Sequence, residues 1–263
     1  MVLGEHLSYA FEDPGATRFL AGVSRVCVDN QLGLVLIPTT GKPDDVDRVR
    51  EATVRGFVLW TTEFGDPVLD AVAATRRPAA IQGGPETPGI RVVAADDRTA
   101  AKSIAMEILL NSERPLVLSH PLDRERWSGV AWGQETEVAF PVTRARLSGY
   151  RDAVESLGGE WGEVAVAVAA RNTREEGSRV VTEALEHFRP DAVVAMSDQL
   201  AAGAHDVLGS TALLSGWDDS DVSLELNFST VRQSLYDQGV ACAHIAAGIV
   251  STIETPPWAV IRR

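Results

Sequence analysis

Residues 189–204 read RPDAVVAMSDQLAAGA. The apolar run Ala192–Ser197 is too short for a helix, and Gln199–Leu208 follows it with helical spacing, so the stretch reads as one strand-helix unit. The same alternation extends in both directions along the chain. Strands are expected at Glu5–Phe11, Gly33–Pro38, Gly56–Thr61, Pro78–Ile81, Val92–Ala95, Leu116–Ser119, Val164–Ala169, Ala192–Ser197, Leu213–Trp217 and Ala259–Arg262. Helices are expected near Thr17–Asp29, Asp44–Arg55, Pro67–Thr75, Arg98–Leu110, Thr143–Leu157, Thr173–His187, Gln199–Leu208 and Leu235–Ile253. Alternating strands and helices give an α/β fold with mainly parallel sheets. So many strands exceed one small Rossmann-type sheet, and the stretch Pro121–Val142 divides them about in half, so two α/β lobes are expected. That stretch, PLDRERWSGVAWGQETEVAFPV, shows neither period and reads as a loop or insertion, in which Trp127, Trp132 or Phe140 could fold over a ligand.

Composition bounds the function. The 263 residues are 45% hydrophobic and 23% charged, an ordinary globular balance. Lys and Arg number 24 against 37 Asp and Glu, a net charge of −13, which repels phosphate backbones; this chain by itself is a poor nucleic-acid binder. Cys27 and Cys242 are the only cysteines and form no zinc, CxxC or disulfide pattern, so a reducing compartment is the simplest fit. The N-terminus shows no basic and apolar leader, and the longest apolar run, Val164–Ala170, falls far short of the ~20 residues that span a bilayer. A soluble, cytoplasmic protein with no membrane partner is expected.

Parallel α/β sheets place ligands beyond the carboxyl ends of their strands. The residues there are Asp13, Thr39, Thr40, Thr61, Thr62, Asp96, Asp97, Ser119, His120, Ser197, Asp198, Asp218 and Asp219. Hydroxyls and carboxylates suit a polyhydroxylated ligand such as a sugar or nucleoside, and the same residue types also cap the next helix. The paired acids Glu12–Asp13, Asp96–Asp97 and Asp218–Asp219 are each expected to supply one ligand-facing acid and one cap or solvated acid. No GxGxxG, P-loop or GxSxG motif occurs, and the five histidines show no HxxxH, so neither cofactor, metal nor catalysis is expected.

Seven segments in order resemble the effector-binding core of LacI/GalR-type bacterial transcription regulators: YAFEDPGATRFLAGV at 9–23, GFVLW at 56–60, VVAADDRTAAKSIAMEILL at 92–110, PVTRARLSGYRDAV at 141–154, RPDAVVAMSDQLAAGA at 189–204, SGWDD at 215–219 and STVRQ at 229–233. The resemblance implies the type I periplasmic-binding-protein fold, two lobes joined by three crossovers with an effector in the cleft. It places residues 1–141 with 229–252 in one lobe and residues 142–228 with 253–263 in the other. It makes Arg146, in R-x-x-G-Y, the main ligand clamp and Asp218 an acceptor of ligand hydroxyls. Ser197 and Asp198 would face the cleft and Gln233 would follow the second crossover, while Phe11 and Asp13 would line the opposite wall. With Ser119 and Trp217 these are the expected ligand residues. Ser197 stands where Asn is common and Trp217 where Phe or Tyr is common. Family members normally begin with a basic helix-turn-helix and hinge, whereas this chain opens on its first core strand, so DNA contact is expected only through a headpiece outside it. A homodimer that binds a small, carbohydrate-type effector is the expected state. A solute-binding protein of a transport system shares the fold, and a sugar-acting hydrolase using cross-cleft carboxylates is a further alternative.

Overall fold

A computed structural model describes residues 1–133, 137–251 and 254–263. Residues 134–136 of the expected loop, and residues 252 and 253 at the end of the expected last helix and at the expected lobe boundary, lie outside the described residues. The chain forms two compact units, Met1–Ala95 with Ser234–Pro257 and Asp96–Gln233 with Trp258–Arg263, so it passes between them three times.

The first unit holds strands β1 (Val2–Leu3), β2 (Ile37–Pro38), β3 (Phe57–Trp60), β4 (Ala79–Gln82) and β5 (Arg91–Val93), with helices α1 (Leu7–Glu12), α2 (Pro14–Asp29), α3 (Pro43–Glu51) and α4 (Pro67–Ala74). Its parallel sheet runs in the order β2-β1-β3-β4-β5. Side chains alternate between the two faces of each strand. Leu3, Val58, Trp60 and Ala80 therefore pack with Phe19, Val23 and Val26 on one side, while Val2, Phe57, Leu59 and Ile81 pack with Val49, Val68 and Val72 on the other.

The second unit continues with α5 (Asp97–Ile108), β6 (Pro115–Ser119), β7 (Gly129–Trp132), α6 (Pro141–Ser156), β8 (Ala165–Val168), α7 (Arg174–Ala184), β9 (Ala192–Ala195), α8 (Asp198–Leu208), β10 (Leu213–Trp217), α9 (Asp221–Glu225) and β11 (Ser229–Arg232). After α10 (Leu235–Ala246), which belongs to the first unit and packs along α2, the chain returns as β12 (Ala259–Ile261). The sheet order is β12-β11-β10-β9-β6-β8-β7, with antiparallel strands only at the two edges. Its faces are both apolar, as a covered parallel sheet requires. Val117, Val166, Val194 and Met196 meet α5 and α6, and Leu116, Leu118, Ala167 and Val193 meet α7 and α8. Among the described residues, no helix is long and apolar enough to cross a membrane.

The α/β class and the two mainly parallel sheets agree with the sequence reading, and several elements differ. The first strand is Val2–Leu3, and the expected strand Glu5–Phe11 is instead mostly the helix α1. Val2 and Leu3 pair on both sides, with Ile37–Pro38 and Leu59–Trp60, and at Gly4 the chain passes so close to Thr61 that a Cβ would sit 1.8 Å from its carbonyl oxygen. Two residues carry no readable period, so pairing rather than alternation makes this strand. The stretch 121–142 contains the unexpected edge strand β7, and STVRQ supplies the unexpected β11. The division expected at residue 141 falls after Ala95, and the second passage falls after Gln233 rather than 228. The cause is that β6 pairs with β8 and β9 while α5 packs on α6, which draws residues 96–141 into the second unit.

The α5–α6 contact depends on Gly149, where a Cβ would lie 2.3 Å from the Arg98 carbonyl oxygen and 2.7 Å from the Ala101 methyl. Gly149→Ala is expected to destabilise the chain by about 1–3 kcal/mol in urea unfolding, despite alanine's better helix propensity. An unchanged midpoint would show that the two helices can part at little cost.

Candidate functional site

At the carboxyl ends of β6, β9, β10 and β11, the second unit gathers several clusters of polar contacts. Arg146 lies in the second turn of α6, which Pro141 opens, and its side chain points under the sheet ends rather than into solvent. Its Nε donates to Asp97 Oδ1 at 2.8 Å, and Nη1 donates to the Met196 carbonyl at 2.6 Å. The guanidinium also lies over the Trp217 ring, 3.9 Å from its centroid. Burial pushes the Asp97 carboxyl above the usual carboxylate range, and Arg146 pulls it back. The rest of R-x-x-G-Y serves the same contact, with Gly149 admitting α5 and the buried Tyr150 hydroxyl donating to the Ala195 carbonyl at 3.3 Å.

Asp198 begins α8 and is almost fully buried. Its Oδ2 accepts from the Ser220 backbone N–H at 2.6 Å and from the Ser220 hydroxyl at 2.8 Å, and its Oδ1 accepts from Thr230 Oγ1 at 2.7 Å. It thereby ties the loop after β10 to β11. Gly216 makes room for it, since a Cβ there would lie 2.2 Å from Asp198 Oδ1. Asp218, at φ 102°, accepts from Gln233 Nε2 at 2.9 Å. Asp219 instead receives Arg232 and Arg263, each at 2.6 Å.

Ser197 caps α8 through Leu200 N–H at 3.1 Å and donates to Asn172. Ser119, fully buried at the end of β6, donates to the His120 carbonyl at 2.8 Å and lies 3.6 Å from the Met196 sulfur. His120 is held neutral, its value lowered to about 3 by burial and by Arg146 and Arg126. Its Nε2 and the Trp217 Nε1 are buried without a hydrogen-bond partner.

Seven expected residues thus share one set of strand ends: Ser119, Arg146, Ser197, Asp198, Trp217, Asp218 and Gln233. Phe11 and Asp13 belong to the first unit, Phe11 55% exposed on α1 and Asp13 capping α2 through Gly15 N–H at 2.9 Å. In that unit Trp60 Nε1 donates to Glu5 at 3.1 Å and Gln82 to Gln238 at 3.1 Å. At Asp96–Asp97, where one cap and one ligand-facing acid were expected, Asp96 caps α5 through Thr99 N–H at 3.1 Å and Asp97 turns inward onto Arg146. Arg146 is neither a solvated arginine nor a simple clamp, because Asp97 already holds it. Asp97 was legible only as one of two adjacent acids, since nothing in its spacing announces a partner 49 residues away.

Of the three aromatic residues of 121–142, Trp132 lies away from these strand ends. Because β7 runs antiparallel, Trp132 pairs with Ala165 at the opposite end of β8 and lies 6.4 Å from the Phe188 ring. Phe140 is buried at the start of α6, and Trp127 lies beside Gly129 and is half exposed. A cavity of about 560 Å³ in the first unit, lined by Glu86, Thr87, Ile90, Arg91, Val92 and Ile245 among others, contains none of the expected residues. Among the described residues, no group of three or more His, Cys, Asp or Glu is placed to hold a metal.

Burial pushes the Asp198 carboxyl up from 3.8 to about 6, and Asp218 adds to the effect while the Ser220 and Thr230 bonds oppose it. A folded value above the unfolded one favours the folded state fully below about pH 4, and that contribution is lost as pH rises through about 6. The shift corresponds to about 3 kcal/mol. Asp198→Asn is therefore expected to flatten the pH dependence of the urea midpoint between about pH 4 and 7. A variant profile parallel to the parent's would mean that Asp198 does not titrate in that window.

The model of the family described as "Periplasmic binding proteins and sugar binding domain of LacI family" matches residues 72–256. The HTH-type transcriptional regulator IpsA of Corynebacterium glutamicum is 32% identical over 248 residues, which cover 89% of this chain and 69% of the relative. The regulator Rv3575c of Mycobacterium tuberculosis is 28% identical over 253 residues, 91% of this chain and 70% of the relative. Among solved structures, a LacI-family regulator from Corynebacterium glutamicum superposes with a TM-score of 0.86 at 27% identity, covering 98% of this chain and 82% of that one. A complex of the regulator CelR with cellobiose shares the fold, with a TM-score of 0.76 at 20% identity over 99% of this chain and 81% of that one. By its family match and its identity to these regulators, the chain belongs to the LacI family, as the periplasmic-binding-protein-like effector-binding core of a transcriptional regulator.

Proposed function

We propose that this core binds a small polyhydroxylated effector, a sugar or a nucleoside, on the strand-end polar clusters of the second unit, as a sensor rather than a catalyst. The observation that carries the reading is the convergence of seven expected residues on those strand ends. Asp218 accepts ligand hydroxyls, the Arg146 N–H groups not used by Asp97 and Met196 donate to ligand oxygens, and Gln233 completes the rim. Ser119, Ser197, Asp198 and Trp217 hold that rim in place or touch the ligand directly. Regulators of this fold have been seen with cellobiose and with ribose, which supports a carbohydrate effector.

The regulator works as a homodimer in this reading, with DNA contact through a basic segment other than this acidic core. Exposed apolar residues of the first unit support pairing: Val28 on α2 is 71% exposed, and Leu34 and Val35, shortly before the edge strand β2, are 37% and 52% exposed. Light scattering is expected to give a dimer mass, and Val35→Asp to shift it toward the monomer. A monomer at every concentration would favour a solute carrier over a regulator.

A thermal-shift screen against neutral sugars, sugar phosphates and nucleosides tests the ligand. An effector at about 100 times its Kd stabilises the fold by about 2.7 kcal/mol. Asp218→Asn, a residue type that tolerates the positive φ, is expected to weaken binding by about tenfold or more, roughly 1.4 kcal/mol. Full affinity in that variant would remove Asp218 from the site. Arg146→Ala is a poorer test than the sequence suggests, because it strands a buried carboxylate at a cost of about 3–5 kcal/mol.

A further inference from the structure

Arg146 is the cation buried at the centre of the proposed site, and its charge is already matched. The Arg146 and Asp97 side chains are each 5% exposed, and their 2.8 Å contact makes a buried pair with no net charge. Two further neighbours of the guanidinium, the Met196 carbonyl and the Trp217 ring, carry no formal charge. Beyond these contacts, the remaining N–H groups of Arg146 have no acceptor among the described residues. Such N–H groups are good donors to a hydroxyl or ether oxygen. They are poor hosts for an ionised group, which would give up its hydration and then share one guanidinium with Asp97. The neighbouring strand ends add carboxylates, Asp198 and Asp218, and Asp218 raises the cost of ionising Asp198.

We propose that Asp97 is a specificity-determining residue: by neutralising Arg146 it selects an uncharged polyhydroxylated effector over its carboxylate or phosphate counterparts. This deepens the effector-binding reading and rests on it. Asp97 need not touch the effector, because it acts by cancelling the charge of the residue that does.

Inorganic phosphate is the probe, titrated into the purified chain at fixed ionic strength and followed by phosphorus NMR line width and thermal shift. The parent chain is expected to show no saturable binding up to about 20 mM. Asp97→Asn keeps the shape and removes the charge, and is expected to bind phosphate about tenfold more tightly or better. Adding Arg146→Gln to that variant is expected to abolish the gain, which separates an uncovered guanidinium from general loosening. Saturable phosphate binding by the parent that the Asp97→Asn, Arg146→Gln double variant loses would overturn the proposal. So would a folded Asp97→Asn chain that gains nothing, and Asp97→Ser provides the same comparison if the Asn variant does not fold. A gain of phosphate binding in a chain that binds no neutral sugar or nucleoside would defeat the effector class of the preceding section while leaving the role of Asp97 standing.

Discussion

A single buried guanidinium organises the carboxyl-end side of the second unit's sheet. Arg146 holds α5 through Asp97, the end of β9 through the Met196 carbonyl, and the end of β10 through the face of Trp217. A charge this deeply buried persists only when its partners are fixed, because an unmatched buried ion costs several kcal/mol. The packing around it supplies that rigidity. Gly149 lets α5 and α6 approach until backbone meets backbone, and Tyr150 closes the same contact on the Ala195 carbonyl. Three residues of one motif therefore anchor α6, and the motif is an architectural unit.

The carboxylates follow a division of labour with the same origin. Asp97 balances Arg146, Asp198 gathers three donors from the β10–β11 side, and Asp219 is gripped by two arginines. Asp218 accepts from Gln233. An acid at a strand end can cap, balance or bind, and what decides is whether a donor or a cation from another element reaches it first. This is why the acid-rich surface implied by a net charge of −13 gives so little guide to the site itself.

Much of this architecture is legible in one dimension. Ala192–Ala195 and Leu213–Trp217 lie within or match the expected strands because a covered parallel strand is a short apolar run, whatever its neighbours. Most helices hold near their expected places for the corresponding reason, with ends shifted by a few residues where a cap or proline intervenes. The strands that were missed had no such run. Val2–Leu3 is two residues long and exists through pairing on both sides, Ser229–Arg232 alternates too briefly, and Gly129–Trp132 lies in a stretch of mixed charge.

What the sequence by itself determined was the α/β class, the mainly parallel sheets and the residue types at their carboxyl ends, because these depend on local hydrophobic period and on the chain's order. The motifs R-x-x-G-Y, SGWDD and STVRQ also carried the family without any coordinates. Tertiary structure alone decided where the chain divides, since the place of residues 96–141 depends on β6 pairing with β8 and β9. It alone decided that Arg146 is buried against Asp97, because a contact across 49 residues is made by the packing of α5 on α6 and leaves no spacing to read. The local pattern names the chemical groups, and only the fold decides which of them are already neutralised by one another.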